Sequence, residues 1–207
     1  MREETRDAAG HLTMLEAEPA TADDARDAEA AGLVLVREVL QLRRPLPADP
    51  PPPLEVRAFR PGADDDAFLA VNNRAFAWHP DQSGWTPDDL RRQEAEPWFD
   101  PDGFLLHERD GQLLGFCWTK VHPATADEPA MGEIYVIAVD PDHAGEGLGR
   151  ALTLAGLDHL ARSGLEVGML HVEGTNVAAR TLYDRLGFTT AGAHRWWATE
   201  GTPPPVA

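Results

Sequence analysis

Short apolar or alternating runs bounded by Gly, Pro and Asp occur over residues 54–59, 104–108, 113–121, 133–139, 167–172 and 189–199, and this pattern predicts strands. Over residues 64–76, 149–163 and 177–186 the apolar positions recur three and four apart, which predicts helices. A further helix is predicted to begin at Thr86, where a cap residue precedes Pro87 at the first helical position and Asp88 and Asp89 fill the first turn. Asp64, Asp65 and Asp66 are expected to be a cap and a solvated charge run. Arg109, Asp110, Gly111 and Gln112 join two strands with hairpin chemistry. The predicted order is strand, two helices, three strands, helix, strand, helix, strand. That order describes an α/β domain of about 150 residues with a mixed sheet flanked by helices.

Ahead of this domain the pattern is sparser. Residues 20–31 are acidic and Ala-rich and predict a helix closed by Gly32, followed by a strand over 33–44, which is too little to bury a core alone. The run PLPADPPPP over residues 45–53 has few backbone donors, favours an extended conformation and is expected to be a linker. Sliding the chain on itself aligns Leu12 with Val167 through Leu33 with Phe188 without a gap, and Met14, Leu15, Glu18 and Gly32 then match Met169, Leu170, Glu173 and Gly187. The match is compatible with chance or with a truncated first copy. The expected organisation is a short helix-strand remnant over 1–44, the linker over 45–53, the main domain over 54–200 and a disordered tail over 201–207.

Composition narrows the function. Thirty-five acidic against 18 basic residues leave a formal net charge of −17, which repels nucleic acid and anionic membranes before contact, so neither is an expected partner. No apolar run approaches the roughly 20 residues of a membrane span. Residues 1–7 carry mixed charge and lead into no apolar stretch, so no secretory signal is expected. Cys117 is the only cysteine and sits in an apolar strand, which excludes an intramolecular disulfide and predicts an inert core thiol. The eight His show no paired ligand spacing, so no metal is expected. A cytoplasmic monomer fits these features. Trp196 and Trp197 are expected in the core, with a dimer contact as the alternative.

The chemistry-bearing segment is GEIYVIAVDPDHAGEGLGRAL over residues 132–152. A buried strand ends at Asp140 and Pro141, and glycines at 145, 147 and 149 lead into a helix. Such a turn points successive backbone N–H groups into one concavity at the positive end of the helix, a ready phosphate site. Neither the Walker pattern nor the complete dinucleotide pattern is present.

Together with EGTNVAARTLYDRLGF over 173–188, this turn resembles the GNAT acetyltransferase superfamily. The segments FAWHPDQSGW (76–85), WTKVHP (118–123), EIYV (133–136) and GRALTLAG (149–156) resemble more closely the C-terminal domain of the mycothiol synthase family, over about residues 54–198. That family has two tandem GNAT domains, and the segment before Pro45 looks like the tail of the first. The resemblance implies a splayed sheet with acetyl-CoA in the opening and its pyrophosphate on Ala144, Gly145, Glu146, Gly147, Leu148, Gly149 and Arg150. Backbone groups of Ile137, Ala138 and Val139 would bind the acetyl carbonyl and pantetheine arm. Asn176, Val177, Ala178, Ala179, Arg180 and Thr181 form a second cofactor segment.

By position, Glu133 matches the general base and Tyr183 the general acid that protonates the CoA thiolate. Their alternatives are an edge charge or Lys120 partner for Glu133, and packing on Phe188 for Tyr183. Asp81, Lys120, Glu133 and His171 fall on substrate-contact positions. The implied reaction acetylates the cysteinyl amine of cysteinyl-glucosaminyl-inositol to give mycothiol. The alternatives are a GNAT enzyme for another small amine and a truncated, non-catalytic remnant.

Three departures from the family stand out. Ala144, Gly145 and Glu146 replace more polar or basic residues, and a carboxylate beside a pyrophosphate costs on the order of 1–4 kcal/mol. His171 stands where the family has Tyr, and Asp81 where it has Glu. Thr21 and Ala28 occupy the offsets of Asn176 and Tyr183, so the N-terminal copy is not a second active site.

Overall fold

In chain order the elements are β1 (Arg2–Arg6), β2 (Leu12–Ala17), α1 (Ala22–Ala30), β3 (Val34–Pro45), β4 (Arg57–Ala58), α2 (Asp65–Ala75), α3 (Pro87–Glu94) and β5 (Phe104–Arg109). They continue with β6 (Gln112–His122), β7 (Met131–Val139), α4 (Leu148–Arg162), β8 (Val167–Glu173), α5 (Val177–Arg185) and β9 (Thr189–Ala198). The structure is a computed structural model that describes residues 1–79, 82–203 and 205. Met1–Arg43 with Leu170–Ala207 form one compact unit, and Arg44–Met169 form a second. The division at residue 43 falls beside the expected linker. The division at 169 lies within β8, where the sequence pattern shows no boundary.

In the second unit, β7, β6, β5 and β4 pair in that order as an antiparallel ladder. β4 is shorter than the expected strand over 54–59. One reason is that the Glu55 carbonyl bonds to Nδ1 of His107 at 2.8 Å, outside the ladder. One face of the sheet carries an aromatic core. The Phe68 ring from α2 meets Phe104 and Phe116 edge-on at 5.1 and 4.8 Å, and Phe104 stacks on Trp118 at 4.4 Å. Thr86 and Asp89 form the capping box that starts α3, as its spacing predicts. Asp64 departs from expectation. It occupies the N-cap of α2 without a side-chain capping bond, is buried, and is bonded by Arg57 at 2.7 Å and Arg60 at 2.8 Å. The guanidiniums of Arg60 and Arg57 hold its carboxyl far below the usual range.

α4 packs on β6 and β7 through a close approach at Gly156, where an added Cβ would lie 2.5 Å from Cys117 Sγ and 2.7 Å from Ile134 Cδ1. Gly156→Ala therefore sets about 1 kcal/mol of helix-propensity gain against about 1–3 kcal/mol of overpacking. Urea unfolding is expected to show net destabilisation.

In the first unit the strand order is β1, β2, β9, β3, β8, with β9 antiparallel to both β2 and β3. Both neighbours of β9 thus come from the N-terminal segment. β1 and β2 were absent from the predicted elements. Every residue of β1 is exposed, so no apolar pattern marks it, and Arg2 instead bonds Asp24 and Asp27 at 2.9 and 2.8 Å.

The internal echo has a structural counterpart. With Leu12 set on Val167, β2-α1-β3 superposes in sequence on β8-α5-β9, and α1 and α5 share identical bounds. Thr21 and Asn176 both cap their helices with a side-chain oxygen, and Gly32 and Gly187 both close them at positive φ (74° and 78°). The β3–β9 register pairs Val39 with His194, which are themselves equivalent residues, and its two bulges, at Val36 and Ala191, are equivalent as well.

Leu15, Ala17, Ala28, Leu33 and Trp197 form a small core in this unit. Trp196 is buried too, with the Arg37 guanidinium 5.0 Å from its centroid and His194 stacked at 3.6 Å, so both tryptophans lie inside. The Arg37 and Glu173 side chains are 4% and 11% exposed and pair at 2.7 Å. Removing one partner strands a buried charge, so Arg37→Ala is expected to cost about 3–5 kcal/mol in chemical denaturation.

Candidate functional site

β7 leads straight into the glycine turn. Asp140 is buried and accepts from the Asp142 backbone N–H at 3.0 Å, which tightens a 3-10 turn over Pro141–His143. From α2, Arg74 bonds Asp140 at 3.0 Å and Asp142 at 2.6 Å and so ties this turn to the core. Gly145 and Gly147 adopt φ of 87° and 82°, and Gly147 is the N-cap of α4. Ala144, Gly145, Glu146, Gly147 and Arg150 are exposed, Gly149 is half-buried and Leu148 is buried. The first turn of a helix leaves backbone N–H groups without intrahelical acceptors, so an anion of phosphate size suits this end of α4.

Glu146 is matched locally. His143 Nδ1 lies 2.8 Å from one carboxylate oxygen, and Arg109 Nη1 donates to the other at 3.1 Å. His143 first, then Arg109, hold its carboxyl below the ordinary range. Both carboxylate oxygens of Glu146 are thus engaged by neighbouring side chains. Beside the turn lies a cavity of ≈ 510 Å³ lined by Arg109, Glu146, Gly147 and Leu148 together with Pro53 and His107.

On the same sheet, Lys120 of β6 stands opposite Glu133 of β7. Glu133 is buried, and its Oε2 lies 2.7 Å from Nε2 of His122. The Lys120 ammonium sits 4.3 Å from the Trp98 centroid and 5.1 Å from that of Tyr135. Tyr135 donates its hydroxyl to Gln93 at 3.1 Å, and burial, then the charges of Glu133 and Glu96, push its pKa up. Ile137, Ala138 and Val139 close β7 and pair with Cys117, Phe116 and Gly115.

Within the first unit, His171 is exposed, with its Nε2 3.4 Å from Gln41 Nε2. Asn176 accepts from the Ala179 N–H at 3.1 Å, Arg180 donates to the Gly174 carbonyl at 2.7 Å, and Thr181 donates to the Val177 carbonyl at 2.8 Å. Val177 and Ala178 are exposed and Ala179 is half-buried. Tyr183 is buried with its ring 5.7 Å from Phe188. A groove of ≈ 540 Å³ runs past Val177, Arg180, Thr181 and Asp184. Asp81 lies outside the described residues, as do Pro204, Val206 and Ala207 of the expected tail.

Sequence reasoning missed His122, Trp98, Arg74 and Arg109. His122 had a usable signal, since it follows Lys120 by two residues on one strand and shares its face. Arg74 had none, because its partners are 66 and 68 residues away.

The family model for the acetyltransferase (GNAT) family matches residues 70–188. The chain belongs to the GNAT acetyltransferase family. Its α/β architecture agrees with that membership. A mycothiol acetyltransferase of Acidimicrobium ferrooxidans is 55% identical over 166 residues, covering 77% of this chain and 53% of that protein. One from Thermobispora bispora is 52% identical over 172 residues, covering 80% and 58%. The GNAT chain thus spans little more than half the length of these curated relatives. Among solved structures, a GCN5-related N-acetyltransferase from Sphaerobacter thermophilus matches at a TM-score of 0.70 and 25% identity, covering 91% of this chain and 60% of that one.

Among the described residues, no group of three or more His, Cys, Asp or Glu is placed to hold a metal, and no helix is long and apolar enough to cross a membrane. Burial pushes the Cys117 thiol up to about 12. Thiol reagents at pH 8 are expected to leave Cys117 unlabelled in the native GNAT chain and to label it fully in denaturant, as read by mass spectrometry.

Proposed function

We propose that this chain is an acetyl-CoA-dependent N-acetyltransferase that acetylates the cysteinyl amine of cysteinyl-glucosaminyl-inositol to give mycothiol. The observation that carries the reading is a buried carboxylate, Glu133, on the strand that runs directly into a glycine turn at the N-terminus of a 15-residue helix. The relatives named mycothiol acetyltransferase supply the acceptor.

The exposed turn fits a pyrophosphate, because its left-handed glycines carry no Cβ between the backbone and a ligand. Ala144, Gly145, Glu146, Gly147, Leu148, Gly149 and Arg150 hold the phosphates, and Asn176, Val177, Ala178, Ala179, Arg180 and Thr181 form the second contact segment. Acetyl-CoA supplies the thioester. Backbone groups of Ile137, Ala138 and Val139 orient the acetyl carbonyl. Glu133 takes a proton from the acceptor ammonium, freeing the lone pair that forms the N–C bond. Tyr183 gives a proton to the thiolate as the C–S bond breaks, and the second proton that the nitrogen loses on becoming an amide restores the Tyr183 hydroxyl. Lys120, His171 and Asp81 contact the acceptor, and Lys120 is held by Trp98 and Tyr135. His171 in place of Tyr loosens the acceptor contacts and favours one second reading, a GNAT enzyme for another small amine.

Mixing the full chain with acetyl-CoA and cysteinyl-glucosaminyl-inositol is expected to release free CoA thiol. Glu133→Gln is expected to keep acetyl-CoA binding and lose about 10²–10⁴-fold in kcat at neutral pH, and Tyr183→Phe to lose turnover as well. Thiol release with simpler amines alone would move the assignment to the second reading. Glu133→Gln turnover near that of the unmodified chain would remove Glu133 as the base.

A further inference from the structure

A buried base needs a route by which its proton leaves. Glu133 accepts one proton per turnover in the proposed reaction, yet its side chain is only 7% exposed. A carboxyl group that stayed protonated would stall the next cycle. The register places Lys120 directly opposite Glu133, but the Lys120 ammonium lies against the rings of Trp98 and Tyr135. His122 Nε2 lies 2.7 Å from Glu133 Oε2, and the His122 side chain is 34% exposed. The two residues therefore form a short bridge from an enclosed carboxylate to a solvent-facing ring. An imidazole suits this task because it changes protonation near neutral pH.

We propose that His122 is a positioning residue that orients the Glu133 carboxylate and carries its proton to solvent, a role that rests on Glu133 being the base. The substrate N–H bond breaks as an O–H bond forms on Glu133. That O–H bond then breaks as the proton passes to Nε2 of His122 in its Nδ1–H form, which restores the carboxylate and leaves an imidazolium. The imidazolium turns its partly exposed ring to solvent, loses the Nε2 proton to water and returns in the Nδ1–H form. One proton enters the pair and one leaves. Among the titratable groups on the neighbouring strands are Lys120, opposite Glu133 on β6, and Tyr135 on β7, whose hydroxyl feels the charges of Glu133 and Glu96.

The test uses the full chain with acetyl-CoA and the acceptor amine that it turns over. His122→Ala is expected to lower kcat at least about tenfold with KM for the amine little changed, to shift the pH–rate profile, and to regain turnover with added imidazole. His122→Gln keeps a hydrogen bond to Glu133 but carries no proton, so it is expected to bind normally and turn over slowly. Independently of turnover, the ¹⁵N resonance of His122 Nε2 is expected to move on Glu133→Gln. Unchanged kcat in both His122 variants beside an inactive Glu133→Gln would overturn the role of His122 alone, as would no imidazole rescue or an unmoved resonance. A fully active Glu133→Gln would overturn the base and this role together.

Discussion

The pairing of β9 is the constraint on which the first unit depends. A strand inside a sheet must satisfy backbone donors and acceptors on both edges, and unpaired groups there cost as much as lost hydrogen bonds. β2 and β3 satisfy the two edges of β9, and both lie in the segment before the proline-rich run. Arg37 from β3 reaches Glu173 at the end of β8, and the Glu38 carbonyl accepts from the Gly174 N–H at 2.7 Å. The N-terminal residues therefore brace the turn that leads to Asn176 and α5.

Charge is handled locally in a chain whose net charge is −17. Arg74 serves Asp140 and Asp142, Arg57 and Arg60 serve Asp64, and Arg109 with His143 serves Glu146. Each cluster places scarce cations on the carboxylates that stand at turns and helix starts. At the glycine turn Arg109 and His143 engage Glu146, and the proposed pyrophosphate would be held there by backbone donors and the helix end.

The β-hairpin of β5 and β6, the strand β7, the glycine turn and the helices α3, α4 and α5 were all legible in the sequence. Their signals are local: alternation, 3.6-residue periodicity, capping residues and glycines at turns. β1 was not legible because a charged edge strand gains its hydrogen bonds from a neighbour and buries no side chain. Asp64 looked like a solvated cap because neither helical nor strand periodicity marks its pairing with Arg57 and Arg60, which the chain makes by turning back between β4 and α2. The Glu133–His122 contact was half legible, since β6 contributes His122 by alternation but only the β6–β7 register decides which side chain Glu133 meets.

What the sequence determined by itself, then, was the family and the order of elements after residue 54, because motifs, periodicity and caps depend on neighbours along the chain; the candidate catalytic groups followed from the resemblance by position. Tertiary structure alone decided that Glu133 meets His122 while Lys120 rests on Trp98 and Tyr135, that Arg109 donates to Glu146, and that residues 1–43 share a unit with β9. Those outcomes are set by strand register and long-range packing, and they join residues too far apart for any local pattern to encode.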